Sequence, residues 1–409
     1  MSIISDIKNG KYFEGDGFVW LILIMLCGIS LIEVYSASSN LSYTSGKYYS
    51  PIMEHGVYMA AGFFVACFLQ KLPCKFFKLI CVIGIVVSFL LLIYAQVGGT
   101  EANGAERWVN IAGKTIQPSE FAKISIIGTV AFMMAVFRTK DDKLSKPGLK
   151  IIVTLTLVMC ALIVTENFST AALLFLVIWG MLWIGDANKK IIFGVIIAML
   201  AIGSAGIIGV KTMSEETAQS LGELPGMHRV PTWVHRIQKS KALPEDPKEY
   251  DVSSNVQVAH AQIAIATCGI TGKGPGKSVE RDYLPQAYSD FIYAIIIEEW
   301  GVIGAFLVIA LYLLLFYRAL RIAGRCKQRF PAYLVMGLAL MLVFQAFINM
   351  AVAVGLAPVT GQPLPMVSRG GTSTILTCCY LGMILSVSKT AKKIDEEAET
   401  ATQTATQTA

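Results

Sequence analysis

Residues 290–317 read DFIYAIIIEEWGVIGAFLVIALYLLLFY, a run of mostly apolar residues that is longer than a bilayer is thick. A transmembrane helix needs about 20 predominantly apolar residues. Comparable runs recur along the chain, so the sequence predicts an all-α polytopic membrane protein with about ten transmembrane helices. The predicted spans are 18–38, 53–70, 75–96, 118–137, 150–165, 170–185, 190–210, 290–317, 332–355 and 371–388.

The composition agrees with this class. Of 409 residues, 55% are hydrophobic and only 15% are charged, whereas soluble proteins carry about 25% charged residues. This deficit excludes a soluble enzyme, a disordered protein and a secreted disulfide scaffold. The net charge of +6 needs no nucleic-acid partner, because membrane proteins collect Lys and Arg in their inner loops. The nine cysteines form no Cys-x-x-Cys or Cys/His cluster, so no zinc or redox site is predicted.

Lys and Arg residues are concentrated in alternate loops, and this bias sets the orientation. The short outer loops carry only Lys47, Arg107, Lys114 and Arg369, so both termini are predicted to be cytoplasmic. The long polar segment between helices 7 and 8 then lies outside. The predicted divisions are an inner N-terminus (1–17), helices 1–7 (18–210), a large extracytoplasmic loop (211–289), helices 8–10 (290–388) and a disordered cytoplasmic tail (389–409).

The first group of candidate functional residues lies in GAERWVNIAGKTIQPSEFAK, residues 104–123. Pro118 indicates a helix start, with Gln117 and Ser119 beside it. Glu120 and Lys123 are three residues apart and therefore share one helix face. They are predicted to form an ion pair, and on spacing alone a structural and a functional role are equally supported.

The second group lies in DYLPQAYSDFIYAIIIEEWG, residues 282–301, where the long loop ends and a helix begins. Ser289 or Asp290 could simply be an N-cap. Alternatively, Asp290 is a partly desolvated carboxylate at the mouth of a cavity and serves as a general base. Glu298 and Glu299 lie two turns further along the helix, where they could pair with a base or shape the pocket.

The third group lies in PVTGQPLPMVSRGGTS, residues 358–373. A loop so rich in Pro and Gly is rigid, and its backbone N–H groups can bind an anion. Ser368, Arg369, Gly370 and Gly371 lead into the last helix, whose N-terminus also favours an anion. The alternative is a plain re-entrant turn.

A fourth segment, GITGKGPGKS at 269–278, resembles a nucleotide phosphate loop. The motif requires a glycine where Thr271 stands, and no buried strand precedes it, so we reject this interpretation. Lys273 remains a candidate for contact with a phosphate.

The motifs at 104–123 and 284–301, and the segment 345–373, together resemble the SEDS family (shape, elongation, division and sporulation), the group of FtsW, RodA and SpoVE. The residues EVYSASS at 33–39 also match. The resemblance covers nearly the whole chain, and the sequence is most similar to the cell-division members. It implies a peptidoglycan glycosyltransferase that polymerises lipid II into β-1,4 glycan strands. It also implies that Asp290 is the essential aspartate, that Glu120 and Lys123 are the family's helix-start pair, and that Arg107 and Trp108 are its Arg-Trp. The predicted substrate- and diphosphate-binding residues therefore include Arg107, Trp108, Gln117, Ser119 and Lys123.

The resemblance further implies a multi-pass protein of the bacterial cytoplasmic membrane, placed at the division septum. Its partners would be lipid II, nascent glycan, a class B penicillin-binding protein, other division-complex membrane proteins and membrane lipids. No cofactor is required, although Mg or Mn could sit on the substrate diphosphate. The chain departs from the family pattern at Glu106, Thr360 and Arg369. Two other hypotheses stay open, namely a lipid II flippase and a non-enzymatic scaffold for the penicillin-binding protein.

Overall fold

A computed structural model describes most of the chain. The described residues are 13–38, 49–98, 100–102, 105–111, 114–141, 143–165, 167–222, 230–231, 234, 256–284 and 287–408. Within the predicted outer loop (211–289), nearly all residues from 223 to 255 therefore lie outside the described part of the chain.

Ten helices of the described chain occupy the ten predicted spans. They are α1 (Gly17–Ala37), α2 (Ser50–Leu69), α3 (Cys74–Gly98), α4 (Pro118–Val136), α5 (Lys146–Val164), α6 (Phe168–Ile184), α7 (Lys189–Thr212), α10 (Ile292–Arg325), α11 (Arg329–Ala353) and α12 (Thr372–Thr408). Two shorter helices, α8 (Glu215–Gly222) and α9 (Val256–Ala266), lie in the long segment between α7 and α10.

Eight of the described helices are long and apolar enough to cross a membrane, and α6 is an apolar helix of 17 residues. The predicted class of a polytopic helical membrane protein is therefore confirmed. The predicted spans 150–165 and 170–185 are two separate helices, α5 and α6. Asn167 caps α6, since its side-chain oxygen accepts a hydrogen bond from the N–H of Thr170 at 3.2 Å.

The chain divides into two compact units. The first contains residues 1–81 and 255–409. In it α12 packs on α2, and α10 packs on α1, α9 and α11. The apolar segment 256–270 consists of the helix α9 and the turn after it, and α9 lies against α10.

The second unit contains residues 82–254. Here α4 packs on α5 and α6, and α6 packs on α7. The segment before α4, which the sequence analysis treats as an outer loop, forms an antiparallel sheet in the order β1 (Thr100–Ala102), β2 (Ala105–Ile111) and β3 (Lys114–Ile116). Val109 and Ile111 alternate with polar residues, which is the sequence signal of a strand.

Two further differences concern helix continuity. The tail predicted to be disordered from residue 389 continues α12 as far as Thr408. Its sequence AKKIDEEAETA consists mostly of good helix formers, so the helix continues past the apolar part. In addition, α10 is not one straight helix, because Gly301 has non-helical backbone angles (φ 69°, ψ −162°).

Candidate functional site

Asp290 lies just before α10, in a turn, and its residue is half-buried. The helix begins at Ile292, and its N-cap residue is Phe291, which makes no capping hydrogen bond from its side chain. The interpretation of Ser289 or Asp290 as the N-cap is therefore wrong. Instead, the hydroxyl of Ser289 donates to Oδ1 of Asp290 at 3.0 Å.

The loop before α12 lies directly against the segment that carries Asp290. The hydroxyl of Ser368 donates to the carbonyl of Ser289 at 2.6 Å, and the N–H of Arg369 donates to the carbonyl of Tyr288 at 2.9 Å. A methyl group placed on Gly361 would lie 3.7 Å from Oδ2 of Asp290. The structure thus brings two of the predicted motifs together into one site.

Side chains from three helices hold this loop by its carbonyl groups. Asn349 of α11 donates through Nδ2 to the carbonyls of Asp290 at 2.9 Å and Gln362 at 2.8 Å. The loop is also fixed by hydrogen bonds from Gln345 to Pro363 (2.9 Å), from Tyr312 to Pro365 and from Ser30 to Val367 (2.7 Å). Rigidity comes from these buried bonds as well as from the prolines. None of these four side chains is among the functional residues predicted from the sequence.

Arg369 supplies a cation beside this loop. Its guanidinium pairs with Glu54 of α2 at 2.6 Å and lies over the ring of Tyr288, 5.4 Å from its centroid. The Arg369 side chain is only 17% exposed, whereas that of Glu54 is 56% exposed. Gly370 and Gly371 follow, and their carbonyls accept the N–H groups of Ser373 and Thr374 at the start of α12. A cation and a helix N-terminus therefore follow each other along the loop that lies against the segment of Asp290. This arrangement is suited to an anion.

The surroundings of Glu298 and Glu299 do not support a role for them as a second acid–base pair. Both are fully buried, and their contacts are with the segment 273–281 and with Ser36 of α1. The predicted phosphate contact of Lys273 stays a prediction. In the structure its Nζ pairs with Glu298 at 2.6 Å and donates to the hydroxyl of Thr267 at 3.1 Å.

In the second unit, Glu120 and Lys123 form the expected ion pair in the first turn of α4. Nζ of Lys123 lies 2.6 Å from Oε1 of Glu120, and the two side chains are 1% and 10% exposed. Gln117 occupies the N-cap position without a capping hydrogen bond. Ser119 is fully buried, and its hydroxyl has no hydrogen-bond partner among the described residues. A carboxylate at a helix N-terminus is also favoured by the helix dipole.

We expect the Glu120–Lys123 pair to show strong energetic coupling. Glu120→Gln or Lys123→Met alone should each lower the free energy of unfolding by about 3–5 kcal/mol, because each removes one charge of a buried ion pair and keeps the other. The double variant should recover most of that loss. Thermal unfolding of the four proteins in one detergent measures the coupling, and additive losses would show that the two charges are not a unit.

Arg107 and Trp108 lie in β2, where Trp108 is the register partner of Thr100. Their side chains are outside the described part of the structure, so their predicted role stays a prediction. Within the described residues, no group of three or more His, Cys, Asp or Glu side chains could hold a metal ion. A cation carried by the substrate diphosphate is a separate matter, and its presence stays a prediction.

Comparison with known proteins gives one consistent result. The family of cell cycle proteins that comprises FtsW, RodA and SpoVE matches residues 17–393. A protein of Bacillus subtilis (strain 168), named a probable peptidoglycan glycosyltransferase FtsW, is 30% identical over 384 residues, which cover 90% of this chain and 88% of the relative. A protein of the same name from Halomonas elongata is 30% identical over 380 residues, covering 91% of this chain and 90% of the relative.

Solved structures share the fold. A chain from a peptidoglycan synthase complex, studied for the coordination of polymerization and crosslinking, superposes with a TM-score of 0.69. It is 21% identical, and the match covers 93% of this chain and 99% of that one. The rod shape determining protein RodA of Thermus thermophilus gives a TM-score of 0.61 at 21% identity, over 93% of this chain and 98% of that one.

Proposed function

The chain belongs to the family of cell cycle proteins that comprises FtsW, RodA and SpoVE, and we propose that it builds glycan strands at the outer membrane face with Asp290 as its general base. It is a peptidoglycan glycosyltransferase of the multi-pass membrane type, in agreement with its FtsW relatives. The proposed substrate is lipid II, which carries a disaccharide-pentapeptide on undecaprenyl diphosphate. The proposal depends above all on one observation, the placement of the half-buried Asp290 carboxylate against Gly361 of the loop that leads to Arg369.

The acceptor step requires a base. The carboxylate of Asp290 takes the proton from the 4-hydroxyl of the acceptor GlcNAc, while that oxygen attacks the anomeric carbon of the donor MurNAc. Ser289 donates to Oδ1 of Asp290, which fixes the carboxylate and leaves Oδ2 on the side of Gly361. A base held in this way can act at hydrogen-bond distance from the hydroxyl.

The leaving group requires positive charge. As the new bond forms, the bond from the anomeric carbon to the diphosphate oxygen breaks, and undecaprenyl diphosphate leaves with the electron pair. The α-linked donor gives a β-1,4 product, so the configuration inverts. Arg369 and the N-terminus of α12 stabilise the charge that develops on the diphosphate. The donor bond is already activated, so the proposal needs no ATP and no resident cofactor.

The partner in this proposal is a class B penicillin-binding protein, which crosslinks the new strands. The fold match to a chain of a peptidoglycan synthase complex supports this choice. The chain is 30% identical to two FtsW proteins and 21% identical to the RodA of Thermus thermophilus. This difference supports glycan synthesis at the division septum.

The direct test is glycan polymerisation from purified lipid II in detergent, with and without a cognate class B penicillin-binding protein. We expect long glycan strands that lysozyme-type hydrolases digest. If no strand forms even with the partner, the proposal fails. Lipid II translocation in liposomes would then support a flippase, and recruitment of the partner without translocation would support a scaffold.

Arg369 should affect both the binding of lipid II and its turnover, because the diphosphate is charged in the substrate and gains charge in the transition state. Arg369→Ala removes a guanidinium whose charged hydrogen bonds to a diphosphate contribute about 1.5–3 kcal/mol, so the half-saturation concentration should rise by roughly tenfold or more. Glu54→Gln is the matched variant, because it frees Arg369 from its carboxylate. It should lower the half-saturation concentration or leave it unchanged. An unchanged value for Arg369→Ala would remove this residue from the diphosphate site.

A further inference from the structure

The helix that follows Asp290 is broken at Gly301. In an unbroken helix, the N–H groups of Val302 and Ile303 would donate to the carbonyls of Glu298 and Glu299. At the break these four backbone groups lose their usual partners. Buried backbone groups without partners are costly, so something else must bind them.

The glycine-rich segment 269–274 supplies the missing partners. The N–H groups of Lys273 and Gly274 donate to the carbonyls of Glu298 (2.9 Å) and Glu299 (2.8 Å). On the other side of the break, the N–H groups of Val302 and Ile303 donate to the carbonyls of Gly269 (3.3 Å) and Ile270 (3.4 Å). The segment is inserted into the break and replaces two helical hydrogen bonds by four. We call residues 269–281 the insert segment.

The side chain of Glu298 binds the next part of the insert segment. Its carboxylate pairs with Nζ of Lys273 at 2.6 Å, accepts the N–H of Val279 at 3.1 Å and accepts the hydroxyl of Ser278. The Glu298 side chain is 0% exposed. A carboxylate buried to this degree is tolerated only where charge and hydrogen bonds compensate it.

Glu299 binds the same segment from the neighbouring position. It accepts the N–H groups of Gly276 at 2.7 Å and Ser278 at 3.2 Å, and the hydroxyl of Ser36 in α1. Arg281 donates to that hydroxyl at 2.8 Å and lies 3.9 Å from Glu299. The glycine-rich stretch that resembles a phosphate loop thus donates the N–H groups of Gly276 and Ser278 to a carboxylate of the protein itself, that of Glu299.

We infer that Glu298 and Glu299 are positioning residues that fix the direction of the half-helix Ile292–Trp300 and thereby the place of Asp290. This inference rests on the proposed role of Asp290 as the base. The half-helix is about 13 Å long, and Asp290 lies at its far end. A tilt of about 10° at the break would move Asp290 by about 2 Å, and misplacement by 1 Å can reduce a rate by about 100-fold.

The test compares Glu298→Gln and Glu299→Gln with Asp282→Asn. In the wild-type protein these carboxylates accept hydrogen bonds from N–H groups of the insert segment. Each glutamine replaces one carboxylate oxygen by an amide NH₂, which is itself a donor and cannot accept them. Asp282 is a matched control because it lies in the same region, is 52% exposed and is 3.9 Å from Arg281.

In folded protein, kcat should fall tenfold or more in both Gln variants, with the half-saturation concentration for lipid II within twofold of the wild-type value. Asp282→Asn should match the wild type. Should the Gln variants not fold, Ser278→Ala removes one donor from Glu298 and should lower kcat by a few-fold only.

Hydrogen exchange provides a readout that does not depend on activity. In both Gln variants, peptides covering 273–281 and 287–300 should exchange faster, and Asp282→Asn should leave them unchanged. Unchanged exchange, an unchanged kcat, or a loss confined to the half-saturation concentration would overturn the inference. If the wild type makes no glycan while exchange rises as expected, the proposed function fails and the fixing of the half-helix stands.

Discussion

Asp290→Asn should abolish glycan polymerisation and leave the protein folded. Asparagine keeps the size of the side chain and an oxygen that can accept the hydrogen bond from Ser289. The backbone carbonyl of residue 290 still binds Asn349. What disappears is the carboxylate that takes the proton of the acceptor hydroxyl, and the loss of a general base lowers rates by roughly 10²–10⁴-fold.

The measurement is strand formation from lipid II with the penicillin-binding protein present, together with thermal unfolding of the purified variant. Asp282→Asn serves as the control, since it removes a carboxylate from the preceding half-exposed segment. Its product yield should equal that of the wild type. Substantial polymerisation by a folded Asp290→Asn protein would show that another group takes the proton.

The positions of the helices and of Asp290 could be predicted from the sequence. A transmembrane helix depends on local composition, so each apolar run identifies its own span. Asp290 stands out for a similar reason, because it is a carboxylate at the point where a polar segment meets an apolar helix. The N-cap alternative stays open at the level of sequence, because spacing does not show whether a side chain turns towards its own helix.

The contacts that build the site could not be predicted, because they join distant parts of the chain. Asn349 binds the carbonyl of Asp290 across 59 residues, and Ser30 binds that of Val367 across 337 residues. Both side chains lie in apolar helices, where a single Asn or Ser gives no local signal of its partner. The interpretation of 269–278 failed to find the true partners of its N–H groups for the same reason, since Glu298 and Glu299 follow about twenty residues later.

Gly301→Ala should prevent the protein from reaching its native fold, because this position has both a restricted backbone conformation and no free space. Its φ of 69° and ψ of −162° belong to a region that is essentially reserved for glycine. A Cβ atom there would lie 2.2 Å from the carbonyl oxygen of Ile270 and 2.5 Å from the nitrogen of Gly272. Both atoms are backbone, so neither can move aside without separating the insert segment from α10.

The strain alone should cost about 1–3 kcal/mol, and the lost hydrogen bonds across the break add to it. We therefore expect little monodisperse protein in detergent and no polymerisation. Gly324→Ala in the same helix is the matched control, since a Cβ atom there would meet nothing within 4 Å apart from its own chain neighbours and the adjacent backbone of its helix. It should be neutral or more stable by up to about 1 kcal/mol. If Gly301→Ala folds and melts like Gly324→Ala, α10 does not need its break, and the half-helix before Gly301 cannot owe its direction to the insert segment.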